Sequence, residues 1–420
     1  MHPNALLEHA TELVHRVLRF HQPADAEVAA YFREQRSLGP RERHLLADTA
    51  YTVLRALPRL RHLARSGRGE MDRRLAVLGW QGNEGLLRAA LDEGEREWLA
   101  QARAIDPATL PEALRHNLAP WLAEALQAAL AGEFWPLVES LAAPAPLDLR
   151  VNALKTRREA ARDALAALGI ESAPTPYSPL GLRVAGKPAL HRLEPFVHGD
   201  VEVQDEGSQL LALLVGARRG EMVVDFCAGA GGKTLALGAE MRNTGRLYAF
   251  DTSGHRLAAL KPRLARSGLS NVHPVQIAHE KDERIKRLAG KIDRVLVDAP
   301  CSGLGTLRRS PDLQWRQTPA TVAELQVQQA AILAGAARLV KPGGRLVYAT
   351  CSLLESEGEH IARDFSAAHA RDFVPLPAVS ALERARVADA QSLVEGDHLR
   401  LWPHRHRTDG FFAALWERPV

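Results

Sequence analysis

Over residues 5–141 apolar side chains recur three and four positions apart, as in ALLEHATELVHRVL and RERHLLADTAYTVLRAL, a spacing that lines one face of an α-helix. The N-terminal third is therefore expected to be all helical. Ser37 and Pro40 flank a helix start in SLGPRERHLL, since proline is accommodated in a first turn, and Pro107, Pro111 and Pro120 punctuate the later helices. LAAPAPLDLR, at 141–150, combines two prolines with small residues and marks a boundary.

After it the period changes. LDLRVNAL reads as a strand, TRREAARDALAALGI as a helix ending at Gly169, and GLRVAG as another strand. From Met222 onward, short β-rich apolar runs (MVVDF, RLYAFD, VHPVQ, DRVLVDAP, RLVYATCS) alternate with helical stretches such as TLALGAEM, HRLAALKPRLARSG and TVAELQVQQAAILAGAARLV. Parallel strands need crossover helices, so this pattern predicts a doubly wound, Rossmann-like α/β sheet covered on both faces. The expected organisation is a helical domain over 1–143, a small α+β domain over 144–216 and the Rossmann-like domain over 217–420.

Composition changes this picture little. A chain of 420 residues exceeds what one core organises, and 46% hydrophobic with 25% charged residues is ordinary for a folded globular protein. Lys+Arg 54 against Asp+Glu 50 gives only +4, which does not by itself announce a nucleic-acid binder. Every lysine lies at or beyond Lys155, so the first third draws its positive charge from arginine and histidine, suited to planar stacking and forked phosphate contacts. Three cysteines without a CxxC pairing support neither a disulfide framework nor a zinc knuckle. His404 and His406 lack an accompanying cysteine or carboxylate constellation, and no metal is expected. The N-terminal MHPNALLEHATELVHR lacks a secretory pattern, and no apolar run approaches the ~18 residues of a membrane span, so a cytoplasmic, membrane-free protein is expected.

Ligands of doubly wound sheets bind outside the carboxyl ends of the strands. The first such end carries DFCAGAGGKT, at 225–234, with Cys227, Ala228, Gly229, Ala230, Gly231, Gly232 and Lys233 ahead of a helix N-terminus. A Walker A loop would need glycine where Cys227 stands, and a GxGxxG loop starting at Gly229 would need it at Thr234. Asp251 closes the next strand about 20 residues on, the distance at which an acid reaches ribose hydroxyls. A glycine loop and a ribose acid without a phosphate cradle point to S-adenosylmethionine.

Two later strand ends carry thiols: DAPCSG, with Asp298 and Cys301, and ATCS, with Cys351, 50 positions apart. If the strands are neighbours, both sulfurs face one cleft. Carbon 5 of a pyrimidine is a poor nucleophile until a thiolate adds to carbon 6, which is covalent catalysis. Cys351 is the candidate nucleophile, Asp298 the group that hydrogen-bonds ring N3, and Cys301 the group that assists release. Arg308, Arg309 and Arg316, interleaved with Trp315, are candidates for stacking and pairing with RNA.

DFCAGAGGKT, DAPCSGLGTLRRSPDLQWR and YATCS resemble the Sun/RsmB family of RNA cytosine-5 methyltransferases, from about residue 146 to the C-terminus. The resemblance implies that Cys351 is the nucleophile and Cys301 assists release, with residues 227–233, Asp251 and Asp298 lining the cofactor and cytosine sites. DNA cytosine methyltransferases use the cysteine of Pro-Cys instead, which would exchange the two roles. The family's loop usually reads Ala-Pro-Gly-Gly-Lys, whereas Ala230 occupies the proline position here. The acid that most members place after the third strand is replaced by Ala278 and His279, with Asp282 a substitute. Gln204 and Asp205, in VEVQDEGSQLLALL, either approach the cleft or cap the following helix. LGPRERHLLADTAYTVLR resembles a NusB-like RNA-binding domain, which implies an RNA partner, ribosomal RNA above all. The same chemistry on tRNA, or an assembly factor with a vestigial site, are the alternatives; an oxidoreductase lacks the glycine spacing.

Overall fold

The computed structural model describes residues 1–186 and 188–420, and the chain divides into two compact units, Met1–Pro144 with Thr306–Pro319, and Ala145–Gly305 with Ala320–Val420. In the first unit the regular elements are helical. The opening helix, Pro3–Val17, shows why: Leu6, Leu7, Ala10, Leu13, Val14 and Val17 fall on one buried stripe. Proline occupies the first turn of the helices Pro3–Val17, Pro40–Arg55 and Pro120–Leu130, where its missing N–H costs nothing. Asp92 and Glu95 close a reciprocal capping box on the helix Glu93–Ala104.

The second unit contains two sheets. The smaller is antiparallel, in the order β2-β3-β1-β4, formed by β1 (Leu147–Val151), β2 (Ser172–Pro174), β3 (Gly181–Val184) and β4 (Val201–Val203). Leu149 and Val151 of β1 enter its core with Ala161 and Leu165 of the helix Arg158–Ala167. Alternation then sends Asp148 and Arg150 to the opposite face.

The larger sheet has nine strands. Its parallel part runs β9-β8-β5-β6-β7, from β5 (Met222–Asp225), β6 (Arg246–Asp251), β7 (Val272–Gln276), β8 (Ile292–Asp298) and β9 (Val340–Thr350). The chain-order reversal between β5 and β8 makes their adjacent carboxyl ends the switch point at which such sheets bind ligands. β10 (Val374–Leu376), β11 (Val394–Glu395), β12 (His398–Leu401) and β13 (Phe411–Glu417) add an antiparallel flank, with β13 against β9. Both faces are covered, which explains the continuous apolar runs. Val223, Leu296 and Val347 pack into one core, and Val224, Val295, Val297, Leu346 and Tyr348 into the other.

Candidate active site

The glycine loop leaves β5 and turns into the helix Gly232–Glu240. Gly231, at its N-cap, has φ +84°, and a Cβ there would stand 2.1 Å from Leu260 Cδ1, so this position requires glycine. Gly229 has φ +55° with open space where its Cβ would lie, leaving backbone accessible to a ligand. Its amide donates to Asp251 Oδ2 at 2.8 Å, while Oδ1 accepts from the Ser253 amide at 2.7 Å. Each carboxylate oxygen retains a further lone pair, so Asp251 still has capacity for ribose hydroxyls. Bare backbone, an open space and an acid at the next strand end fit a nucleoside. Ala228 and Cys227 line this turn differently: Ala228 donates its amide to Phe250, and Cys227 packs against the core, its thiol pushed well up by burial and then by the surrounding aspartates.

Two arginines brace the loop where the sequence gives no local signal. Arg263 donates to the Ala230 carbonyl at 2.5 Å, tying down the position where the family carries proline. Arg150, from β1, donates to Gln204 Oε1 at 2.5 Å and to the Gly232 carbonyl at 2.8 Å, so the small sheet holds the first turn of the loop's helix. Burial lowers the Arg150 guanidinium to about 10, still cationic near neutrality. Of the two readings for Gln204 and Asp205, Asp205 caps the helix Glu206–Val215, while Gln204 joins the Arg150 brace.

β8 and β9 are parallel neighbours with Asp298 opposite Ala349, so DAPCSG and ATCS leave the sheet together. The Cys301 and Cys351 sulfurs lie 3.3 Å apart. The Cys301 thiol is pushed well up, first by its hydrogen bond to Cys351, then by burial and by the charges of Cys351 and Glu357. Beside them Lys233 Nζ meets Asp298 Oδ2 at 2.7 Å. Burial opposes the Lys233 charge, but Asp298 outweighs it with help from Cys351, and the ammonium is held above its usual range. Asp225 stands behind the loop, its carboxyl raised to about 7 by burial against a 2.7 Å hydrogen bond from Thr234 Oγ1.

Other expected positions have different roles. Asp282 caps the turn Glu283–Lys286, accepting from the amides of Ala278 and Arg284, which hold its carboxyl below the usual range. As at Asp251, each of its oxygens retains a further lone pair. The 306–319 segment belongs to the helical unit. There Trp315 packs against the helical core and donates its indole N–H to Leu54, the Arg308 carbonyl accepts from Arg55, and the Arg308 side chain is buried. Trp315 is partly buried, so part of the ring packs against the helical core and part stays accessible. Arg309 and Arg316 are half-buried, with Arg316 paired to Asp312 at 3.5 Å. The residue that local reading passed over is Glu357, whose carboxylate joins the two cysteine loops; the serine after each cysteine was its only sequence signal. Among the described residues there is no cluster of metal-binding type, and no helix is long and apolar enough to cross a membrane.

Sheet order, glycine loop, switch-point acids and the small antiparallel subdomain define a Rossmann-like methyltransferase fold. Residues 212–417 match the family described as 16S rRNA methyltransferase RsmB/F, and residues 119–191 match its ferredoxin-like domain. The chain belongs to the RsmB/RsmF family. It is 39% identical over 269 residues to the probable ribosomal RNA small subunit methyltransferase B of Synechocystis, covering 64% of this chain and 59% of that one. It is 37% identical over 351 residues to a Mycobacterium tuberculosis protein named only as a methyltransferase, covering 80% of this chain and 71% of the relative. The crystal structure of PH0851 superposes with a TM-score of 0.81 at 25% identity, covering 100% of this chain and 99% of that one. The chain spans 59% of the length of the Synechocystis and Bacillus subtilis relatives.

Proposed function

We propose that this protein methylates carbon 5 of a cytosine in RNA, with S-adenosylmethionine as donor and small-subunit ribosomal RNA as the substrate class. The observation that carries the reading is the 3.3 Å pair of sulfurs at the ends of adjacent parallel strands, beside the Lys233–Asp298 pair. When bound, the donor supplies an electrophilic methyl group on a sulfonium. The chain's part is to make carbon 5 nucleophilic. Cys351 Sγ adds to carbon 6, and Asp298 passes to N3, where electron density gathers, a proton that it draws from the Lys233 ammonium beside it. Cys301 in its thiolate form, a stronger base for being pushed up, then takes the carbon 5 proton and becomes a thiol, and elimination breaks the bond from carbon 6 to Cys351, returning that sulfur as a thiolate. Gly229, Gly231, Gly232 and Asp251 hold the nucleoside of the donor, with Asp251 on the ribose.

The names of the relatives support ribosomal RNA over tRNA, and the paired thiols support chemistry over a vestigial site. The helical unit, read as NusB-like, and the half-buried Arg309 and Arg316 are assigned to RNA contact. Reaching a paired cytosine requires flipping, at a cost of a few kcal/mol, so unpaired RNA in an incompletely assembled subunit is the favoured target. Three free cysteines suit a reducing cytoplasm.

The test uses labelled donor and cellular RNA. Cys351→Ala abolishes methyl incorporation, whereas Cys301→Ala retains adduct formation and accumulates a denaturation-resistant protein–RNA complex. Full turnover by Cys351→Ala overturns the assignment. Bisulfite sequencing of RNA from a deletion strain then identifies the cytosine that loses protection.

A further inference from the structure

DAPCSG and ATCS each place a serine directly after the cysteine, and both serines converge on one carboxylate. Glu357, in the turn Glu355–Glu357, is completely buried. Its Oε2 accepts from the Ser302 hydroxyl at 2.5 Å and the Ser352 hydroxyl at 2.6 Å. Its Oε1 accepts from the Ser302 amide at 2.9 Å and from Gln329 Nε2 at 3.0 Å. Gln329 also donates to the Pro300 carbonyl at 3.0 Å, and the Tyr348 hydroxyl donates to the Glu357 carbonyl at 2.7 Å. A carboxylate removed from water persists only with its lone pairs filled. Here three of the four donors come from Ser302 and Ser352, the residues that follow the two cysteines, and the fourth from Gln329.

We propose that Glu357 is a positioning residue: its carboxylate locks the DAPCSG and ATCS loops in register and so sets the approach of the Cys301 and Cys351 sulfurs. The inference rests on the reading that these thiols carry methyl transfer. Two features argue for an anion at this point rather than any space-filling residue. A carboxylate accepts at both ends, which a neutral amide does not, and this site offers hydroxyl donors at one end and N–H donors at the other. Its negative charge also lies close enough to Cys301 to push that thiol up. One side chain thereby controls both the spacing of the two sulfurs and the titration of Cys301.

The test pairs kinetics with a measurement that needs no RNA. In Glu357→Gln, the amide NH₂ can face the serine hydroxyls and the fold is kept, but the charge is gone. kcat falls roughly 30-fold, within the range that small misplacements produce, while KM for S-adenosylmethionine stays within about twofold. The pH profile for iodoacetamide alkylation of Cys301, read by mass spectrometry on the protein alone, moves to lower pH. Glu357→Asp restores the alkylation profile because the charge returns, but not kcat, because the carboxylate is one methylene short. Ser352→Ala, which leaves the carboxylate in place, lowers kcat about tenfold without moving the profile and carries the test should Glu357→Gln not fold. Unchanged kcat in these variants, or a folded Glu357→Gln with an unmoved profile, overturns the proposal. If the wild-type chain itself transfers no methyl group to cytosine, the functional reading fails, and the alkylation profiles still decide the role of Glu357 at the thiols.

Discussion

Lys233 and Asp298 come from the glycine-loop helix and the end of β8 and meet at 2.7 Å, with side chains 11% and 29% exposed. The pair spans the switch point of the sheet, so it joins the loop assigned to the donor to the strand end assigned to the cytosine. Two charges so far removed from water depend on each other, since removing either leaves the other uncompensated.

The consequence is measurable by a double-mutant cycle. Asp298→Asn strands the Lys233 ammonium and is expected to cost about 2–3 kcal/mol in urea unfolding, somewhat below the full penalty of a buried pair because of the residual exposure. Adding Lys233→Met is expected to recover most of that loss. Strictly additive effects would show that the two side chains do not depend on each other.

Asp225 gives a pH signature of opposite sign to an ordinary salt-bridged acid. Burial raises its carboxyl to about 7, so between the usual aspartate range and pH 7 the folded chain holds a proton that the unfolded chain has released. This contribution to stability is complete at low pH and is lost as pH rises through that window, amounting to at most ~4 kcal/mol. Asp225→Asn, which keeps an oxygen for the Thr234 hydroxyl, is expected to remove this slope from unfolding curves collected between pH 4 and pH 8. An unchanged slope would mean that the carboxyl is already ionised throughout.

These relationships differ in how far they could be read from the chain. The parallel strands were legible because a sheet buried on both faces writes continuous runs such as VLVD and LVYAT, and the thiol pair because Cys301 and Cys351 close two such runs. β13 carries the same kind of run, FFAALWE, yet its placement between β9 and β12 depends on pairings with no local signature. Local reading failed where a polar segment is buried by distant partners. ESEGE resembles a solvated acidic loop, yet Glu357 is inaccessible. RRSPDLQWR resembles a nucleic-acid surface, and its packing could not be read locally because the Trp315 indole reaches Leu54, 261 positions earlier. Asp282 also caps its own turn, a local role that its residue type alone does not announce.

The glycine loop offers a paired comparison. Gly229 and Gly231 both have positive φ, but only at Gly231 would a side chain collide with Leu260. Gly229→Ala bears the left-handed backbone cost alone, about 1–2 kcal/mol, and is expected to weaken S-adenosylmethionine binding about tenfold at most. Gly231→Ala adds the overlap and is expected to lose more than 100-fold in titration calorimetry. Equal losses would show that backbone conformation, rather than the fit against Leu260, governs the loop.

Trp315 separates packing from RNA recognition. Its ring lies against the helical core and its indole N–H reaches the Leu54 carbonyl at 3.3 Å. Truncation removes apolar contact and leaves that carbonyl without its donor. Buried aromatic truncations cost about 3–5 kcal/mol, and partial burial here places Trp315→Ala nearer ~2–3 kcal/mol in denaturant unfolding of the full chain. If packing is the ring's whole role, RNA affinity measured well below the unfolding transition is expected to change less than about twofold. Neutralising Arg309 and Arg316 together is expected to weaken binding and make affinity less dependent on salt by up to about two phosphate contacts, with a stability cost from the buried Asp312 that Arg316 leaves behind. If Trp315→Ala instead leaves stability intact and abolishes RNA binding, the ring must turn out of the core to stack on a base.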